Sequence, residues 1–374
     1  MARLMIAAGG TGGHVYPALA VAEVLHKSDA AHSLQFVGTQ GSGGFEKRLV
    51  DASSVPFENY YAVFAGPVVG VNPFRALTSI LKMVLGLLQS LWILLTQRPK
   101  AILLTGGWAN VPLAVAGSVL RVPMLIYLPD IEPATTIQVL SRFVDKIATT
   151  VPESAQYFRA DDAEKLVTTG YPLRDAVTSA ERDDALTHFG LDDTRKTILV
   201  TGGSRGARTI NIAIGDILPA LLDENVQVIH VSGTFDHERT HKQVADMLAH
   251  PHYHLFPYLD SADMGRAFAV ADIVVGRSGA SSIGEFPYFG AASILVPYPY
   301  AWRYQRVNAD WLAERGAGIR MDDETMADEL LPTLRDLLTN EQRLNEIQQC
   351  AQALYTGNGA KHIADELLAL SKTR

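Results

Sequence analysis

Two glycine-rich turns, GGTGGH at Gly9–His14 and GGSRGA at Gly202–Ala207, each stand directly behind a short apolar run of β type, with most of the chain's first half between them. Such a turn lets backbone N–H groups approach an anion closely, and the helix that follows it carries partial positive charge at its start. Two of them in one chain predict two nucleotide-fold halves facing one ligand. The length agrees, because 374 residues exceed what one hydrophobic core usually serves.

The rest of the chain repeats a strand-then-helix rhythm. Apolar runs stand at LMIAA near residue 4, LQFVG near 34, AILLTGG near 101, MLIYL near 124 and DKIATT near 145. The rhythm restarts at KTILVTGG near 196, VQVIHVSG near 226, HLFPYL near 254, DIVVGRSG near 272 and ASILVPYP near 292. Strands alternating with helical patterns predict parallel sheets, so the fold class is α/β with two Rossmann-like doubly wound domains. The expected domains are 1–172 and 173–345, with Tyr171–Asp193 as a linker and 346–374 as a helix packing back across the lobes. The only internal echo is the pair of glycine turns.

Ile80–Leu95, ILKMVLGLLQSLWILL, is flanked by Phe74, Arg75, Arg98 and Lys100 and interrupted by Lys82, Gln89 and Ser90. It is short for a membrane span, which needs about 20 apolar residues. Two readings stay open: a buried crossover helix, or a helix in the membrane interface with Trp92 and leucines toward lipid and cations toward headgroups. Cys350 is the single cysteine, which excludes an intramolecular disulfide framework. With an amino terminus that enters a strand at once and shows no secretory signal, the expectation is a cytoplasmic protein. The net charge of −8 argues against a nucleic-acid partner. It is uneven: 14 basic and 12 acidic residues lie up to Arg174, 18 and 28 beyond it, so the halves carry +2 and −10.

GGTGGH does not have the spacing of the dinucleotide fingerprint and ends in a histidine. GGTGGHVYPALAVAEVL at Gly9–Leu25, GYPLRDAV at Gly170–Val177, GGSRGARTIN at Gly202–Asn211, and RSGASSIGE at Arg277–Glu285 followed by Gln305 and Asn308 resemble, together and in order, one family. It is the MurG-type glycosyltransferases of the GT-B fold, which add N-acetylglucosamine to undecaprenyl-linked muramoyl-pentapeptide. The resemblance covers Leu4 to about residue 320. It implies that the carboxyl-terminal lobe holds UDP-GlcNAc as substrate and the amino-terminal lobe the polyprenyl-pyrophosphate-linked acceptor. It also implies inverting transfer by a protein peripheral on the cytoplasmic face of the cell membrane, in peptidoglycan synthesis.

Residue by residue, the resemblance implies donor contacts from Thr11, Gly12, Gly13, Asp130, Arg174, Ser204, Leu259, Ala280, Ser281, Ser282, Ile283, Gly284, Glu285 and Gln305. Acceptor contacts fall to Gly10, Thr11, His14 and Trp108. Glu285 would accept from the ribose hydroxyls, Ala280–Gly284 would present backbone amides to the nucleotide, and Ser204 would hold the diphosphate or simply cap its helix. Arg174 would pair with an anionic donor or close the lobes, and Gln305 would contact the donor sugar. His14 is the catalytic candidate: imidazole titrates near neutral pH, and the turn exposes it at the carboxyl end of a strand, where open α/β sheets bind ligands. Base on the acceptor hydroxyl and ligand of the acceptor phosphate both remain open for it.

No metal site is predicted. His250, His252 and His254 alternate without suitable acids nearby, no DxD pair is placed to bridge a metal and a sugar nucleotide, and no cofactor is expected. The chain departs from the family in three places. Asp130 in IYLPDIEP stands where the family carries an asparagine. Tyr300, Trp302 and Tyr304 in YPYAWRYQ replace polar or charged residues, and GGWANVP stands for GGYVSGP. These changes leave open another UDP-sugar or lipid acceptor. A UDP-GlcNAc epimerase and a non-catalytic nucleotide-sugar binding protein remain the readings of different class.

Overall fold

The computed structural model describes residues 2–28, 32–41, 43–67, 71–203, 205–300 and 304–373. They form two compact units, one of residues 1–174 with 356–374 and one of residues 175–355. The chain therefore divides at 174/175 and again at 355/356, where the sequence placed boundaries at 172/173 and 345/346.

The first unit is built on seven strands: β1 (Arg3–Ala7), β2 (Ser33–Thr39), β3 (Asn59–Val63), β4 (Ala101–Leu104), β5 (Met124–Leu128), β6 (Lys146–Thr149) and β7 (Leu166–Thr168). All pair in parallel, in the order β3-β2-β1-β4-β5-β6-β7. The second unit repeats the plan with six: β8 (Lys196–Thr201), β9 (Val226–Val231), β10 (Tyr253–Phe256), β11 (Ile273–Gly276), β12 (Ala292–Leu295) and β13 (Ile319–Arg320). Their order is β10-β9-β8-β11-β12-β13, again all parallel. Strand order reverses between β1 and β4 and between β8 and β11, which opens a crevice at the carboxyl ends of the strands in each unit.

The central strands are continuous apolar runs because helices cover both faces of a parallel sheet. Ile102, Leu103, Leu104 and Ile126 are fully buried in one unit, and Ile198, Val200, Val275 and Ile294 in the other. All ten apolar runs are strands. The three additional ones, β3, β7 and β13, lie at or near sheet edges and are half-exposed or only two or three residues long. Tyr171–Asp193, expected as a linker, instead contains the helices Asp175–Thr178 and Arg182–Phe189, the second closed by Gly190 in the left-handed conformation.

Helices α1 (Gly12–Lys27), α2 (Phe45–Asp51), α3 (Pro73–Gln97) and α4 (Asn110–Val119) follow in the first unit. α3 is longer than its apolar run suggests. Asn72 caps it by accepting from the Arg75 N–H at 2.8 Å, Pro73 occupies the first turn, and Arg98 ends it in the left-handed region. One face is packed. Gly86 approaches the Phe64 carbonyl so closely that a Cβ there would collide with it, and the Phe64 N–H donates to Gln89 Oε1 at 2.9 Å. Ser90, Ile93 and Leu94 complete that buried face. The other face is open: Phe74, Leu77, Leu81, Leu88, Trp92 and Leu95 are each more than half exposed. The expected buried crossover helix is therefore buried on one face only.

The helix Glu341–Ala353 lies in the second unit, whereas Gly359–Ser371 lies in the first. The latter packs along α1, β4 and β5, with a Lys146–Glu366 ion pair and a 2.9 Å bond between His362 Nδ1 and the Thr169 carbonyl.

Candidate active site

In the first unit the chain leaves β1, turns through Gly9–Thr11 and enters α1 at Gly12. The first amides of a helix have no intrahelical acceptor, and α1 has no acid in its first turn, so Gly12 and Gly13 present an uncompensated positive end. Gly10 N–H donates to Glu46 Oε1 at 3.0 Å, and Glu46 itself is fully buried. This carboxylate comes from α2, and nothing in its sequence neighbourhood marks it.

His14 sits one residue beyond those glycines. Its Nδ1 lies 3.0 Å from the Gly9 carbonyl. A carbonyl oxygen only accepts, so Nδ1 carries the ring proton and Nε2 the lone pair. The ring rests on Gly106, where a Cβ would come within 2.7 Å of Cδ2 and where φ is +112°, so this position requires glycine on two counts. Thr105 Oγ1 donates to the His14 carbonyl at 2.8 Å, and Asn110 Nδ2 donates to the Gly106 carbonyl at 2.8 Å. Burial lowers the His14 pKa, opposed by the bond to Gly9, so the imidazole is neutral at pH 7.

These groups line one cleft of about 750 Å³ at the carboxyl ends of β1 to β4, shared by Gly10, Thr11, His14 and Trp108 with Glu46, Arg75 and Lys82. Asp130, just past β5, does not line it. The Arg174 guanidinium lies 3.9 Å from the Tyr16 ring centroid, and that ring packs against Gly12, so this arginine is held beside the first turn of α1.

In the second unit, Ser204 lies outside the described residues, as does Trp302. Gly206 N–H donates to the Gly203 carbonyl at 2.9 Å, ahead of the helix Arg208–Leu222. That helix is anchored by a buried polar network. Asn211 Nδ2 donates to the Ser232 carbonyl at 2.9 Å and to Asp236 Oδ2 at 2.8 Å, while its Oδ1 lies 3.0 Å from His230 Nε2. His230 Nδ1 accepts from the Tyr253 hydroxyl at 2.9 Å, and burial pushes its pKa down to about 3. Arg239 closes the network on Asp236.

The segment after β11 is a tight turn into the helix Ser282–Phe289. Ser282 N–H donates to the Gly279 carbonyl, Ile283 N–H to Ala280, and Gly284 and Glu285 N–H to Ser281. Within the expected row Ala280–Gly284, the N–H groups of Ser282, Ile283 and Gly284 are thus used by the turn itself. Glu285 is half-buried on the first turn, and Leu259 is buried in the loop after β10. Gln305 Oε1 accepts from the Tyr298 N–H at 2.9 Å and its carbonyl accepts from Ser278 Oγ at 2.8 Å, while its Nε2 donates to no described residue. Arg277 joins these loops, donating to Asp323 at 2.7 Å, to the Val296 carbonyl and to Thr209 Oγ1. The sequence reading missed this pair, since Asp323 is far away along the chain. Among the described residues no group of three metal-ligating side chains converges.

The glycosyltransferase family 28 N-terminal domain matches residues 4–149, and the family's C-terminal domain matches residues 197–367. A relative from Roseiflexus sp. (strain RS-1), the UDP-N-acetylglucosamine--N-acetylmuramyl-(pentapeptide) pyrophosphoryl-undecaprenol N-acetylglucosamine transferase, is 34% identical over 97% of this chain and 93% of its own. Among solved structures, Acinetobacter baumannii MurG superposes with a TM-score of 0.75 at 27% identity, covering 99% of this chain and 100% of its own. The UDP-GlcNAc 2-epimerase from Neisseria meningitidis bound to UDP-GlcNAc gives 0.67 at 12% identity, covering 98% and 100%, a likeness of fold.

Proposed function

The chain belongs to glycosyltransferase family 28, and from that premise we propose that it moves N-acetylglucosamine from UDP-GlcNAc to undecaprenyl-pyrophosphoryl-MurNAc-pentapeptide, with inversion at the anomeric carbon. The observation that carries the catalytic assignment is the His14 imidazole, whose Nε2 lone pair is set by the Gly9 carbonyl at the mouth of an amide-lined turn.

In this mechanism Nε2 takes the proton of the acceptor hydroxyl as its oxygen attacks the anomeric carbon. The new glycosidic bond forms as the bond to the β-phosphate oxygen breaks, and UDP departs with that electron pair. Charge on UDP is met by the Ala280 and Ser281 amides and the start of Arg208–Leu222. Glu285 accepts from the ribose hydroxyls and Gln305 Nε2 donates to the sugar. These donors supply what a metal would otherwise provide, so turnover is expected to survive chelation by EDTA.

The open apolar face of α3 supports a peripheral seat on an anionic bilayer. Contiguous exposed apolar surface on this scale marks an interaction site, and Trp92 with the leucines is the composition that enters a membrane interface. The deciding experiment is incubation with UDP-GlcNAc and a lipid-linked acceptor, with the product identified by mass. Sugar appearing on the lipid supports the proposal. Free or isomerised sugar formed without lipid would instead establish the epimerase.

A further inference from the structure

The cleft of the first unit contains two cations that the mechanism above does not use. Arg75 and Lys82 line it together with His14 and Thr11. Both are exposed, and neither side chain has a hydrogen bond or ion pair with any described residue. They stand seven residues apart on α3, two turns or about 10 Å of helix, and Thr78 on the intervening turn lines the cleft as well. Arg98, grouped with them by sequence, is elsewhere, with its Nε turned onto the Leu95 carbonyl at 3.4 Å.

The charge balance of the cleft is therefore lopsided. Glu46 is the single acid among its described lining residues, and that carboxylate already accepts the Gly10 N–H. Against it stand two unpaired cations and the amide-bearing start of α1. An anion of more than one charge fits such a balance, and flexible side chains reaching from two turns can converge on neighbouring phosphoryl groups.

α3 also says what adjoins that anion. At about 100° per residue, the row 75, 78, 82 lies roughly a third of a turn from the exposed row Leu77, Leu81, Leu88 and Leu95. One helix thus offers cations to the cleft and an apolar surface beside it. The complementary ligand is an amphiphile whose anionic group is joined directly to a long hydrocarbon chain. A bilayer's own headgroup phosphates would meet the open outer face of the helix, not residues that share a cleft with a histidine.

We propose that Arg75 and Lys82 clamp the diphosphate of the lipid-linked acceptor, so that α3 reads the junction between its anionic and hydrocarbon parts and positions the attacking hydroxyl at His14. The proposal rests on the transferase reading above.

The test uses the full chain and an acceptor analogue with a short, water-soluble prenyl chain, in the absence of vesicles. Arg75→Gln, Lys82→Gln and the double variant are compared with the charge-retaining Arg75→Lys and Lys82→Arg, by turnover and by titration calorimetry. The double variant is expected to raise the acceptor KM and Kd by roughly thirty-fold or more, the scale of two lost charge-assisted bonds. The KM for UDP-GlcNAc stays level and the charge-retaining variants keep most of the affinity. Wild type should also favour the diphosphate analogue over its monophosphate, and the double variant should lose that preference. An unchanged acceptor Kd overturns the clamp, and if binding to phosphatidylglycerol vesicles falls at the same time, the two cations serve the bilayer. An analogue that wild type does not bind overturns it equally. If the analogue binds but no sugar is transferred, the transferase reading fails while the calorimetric comparison still decides the clamp.

Discussion

At His14 a single backbone carbonyl decides which ring nitrogen holds the proton. With Nδ1 committed to Gly9, the other nitrogen has a lone pair and no charge, and burial keeps it so below the usual imidazole range. Replacing His14 by Ala should lower kcat by about 10²- to 10⁴-fold while UDP affinity, measured by calorimetry, stays level. A comparable loss of UDP binding would remove the assignment. The wild-type acidic limb of kcat/KM should fall below pH 6.5, because a lowered pKa leaves the base unprotonated as pH falls until that lower value is passed. Glu285→Ala should instead weaken UDP binding by roughly tenfold with a smaller effect on kcat. His230 gives a stability counterpart: it is neutral in the fold with a pKa near 3, yet takes up a proton near 6.5 once unfolded. Its contribution is therefore complete above 6.5 and declines as pH falls toward 3, by about 1.4 kcal/mol per unit. Between pH 7 and 5, denaturant titrations should show wild type losing about 2 kcal/mol more than His230→Gln, which retains both hydrogen-bonding functions. Of these residues, the placement of His14 and Glu285 in the first turn of a helix behind a strand was legible, because a glycine-rich turn precedes each. Glu46, Asp323 and the Asn211–His230 pairing were not, since only tertiary folding brings them to their partners.

Elements were more legible than individual contacts, and the exceptions have physical reasons. Nine of the ten predicted strands lie inside the sheets and announce themselves because burial on both faces demands apolar residues, whereas the tenth, β10, is a half-exposed edge strand read from HLFPYL, and β3, reading NYYAV, is half-exposed and carries no such demand. α3 was ambiguous for the opposite reason: its apolar residues run around both a packed face and an open one, and composition does not separate them. Register does. Residues 86, 90, 93 and 94 meet the protein, and residues 77, 81, 88, 92 and 95 meet solvent. Changing Leu88, Trp92 and Leu95 together to Ser removes about 1.5 to 3 kcal/mol of possible burial per side chain without touching the packed face. Liposome flotation should fall at least tenfold while the thermal midpoint moves by no more than a few degrees. Loss of folding would show that these side chains stabilise the unit itself.

For the whole molecule, the repeated strand order hides a division of labour that the charge distribution exposes. The chain up to Arg174 is +2 and contains the cleft with unpaired Arg75 and Lys82, while the remainder is −10 yet contains the glycine turns assigned to UDP. A nucleotide diphosphate bound by an acidic half must be held by local amides and a few arginines, not by the long-range field, which opposes it. On the proposed assignment, the acceptor and an anionic membrane would by contrast meet a half whose field attracts them. The two ligands should consequently differ in their response to salt. Raising ionic strength from about 0.05 to 0.5 M shortens the Debye length from roughly 14 to 4 Å. The Kd for UDP, read by thermal shift against a ligand series, should then hold level or tighten, whereas affinity for anionic vesicles and for the diphosphate acceptor should weaken by an order of magnitude. Parallel weakening of all three would mean that long-range attraction acts on the donor as well, and the assignment of UDP to short-range amide contacts in the acidic half would be lost.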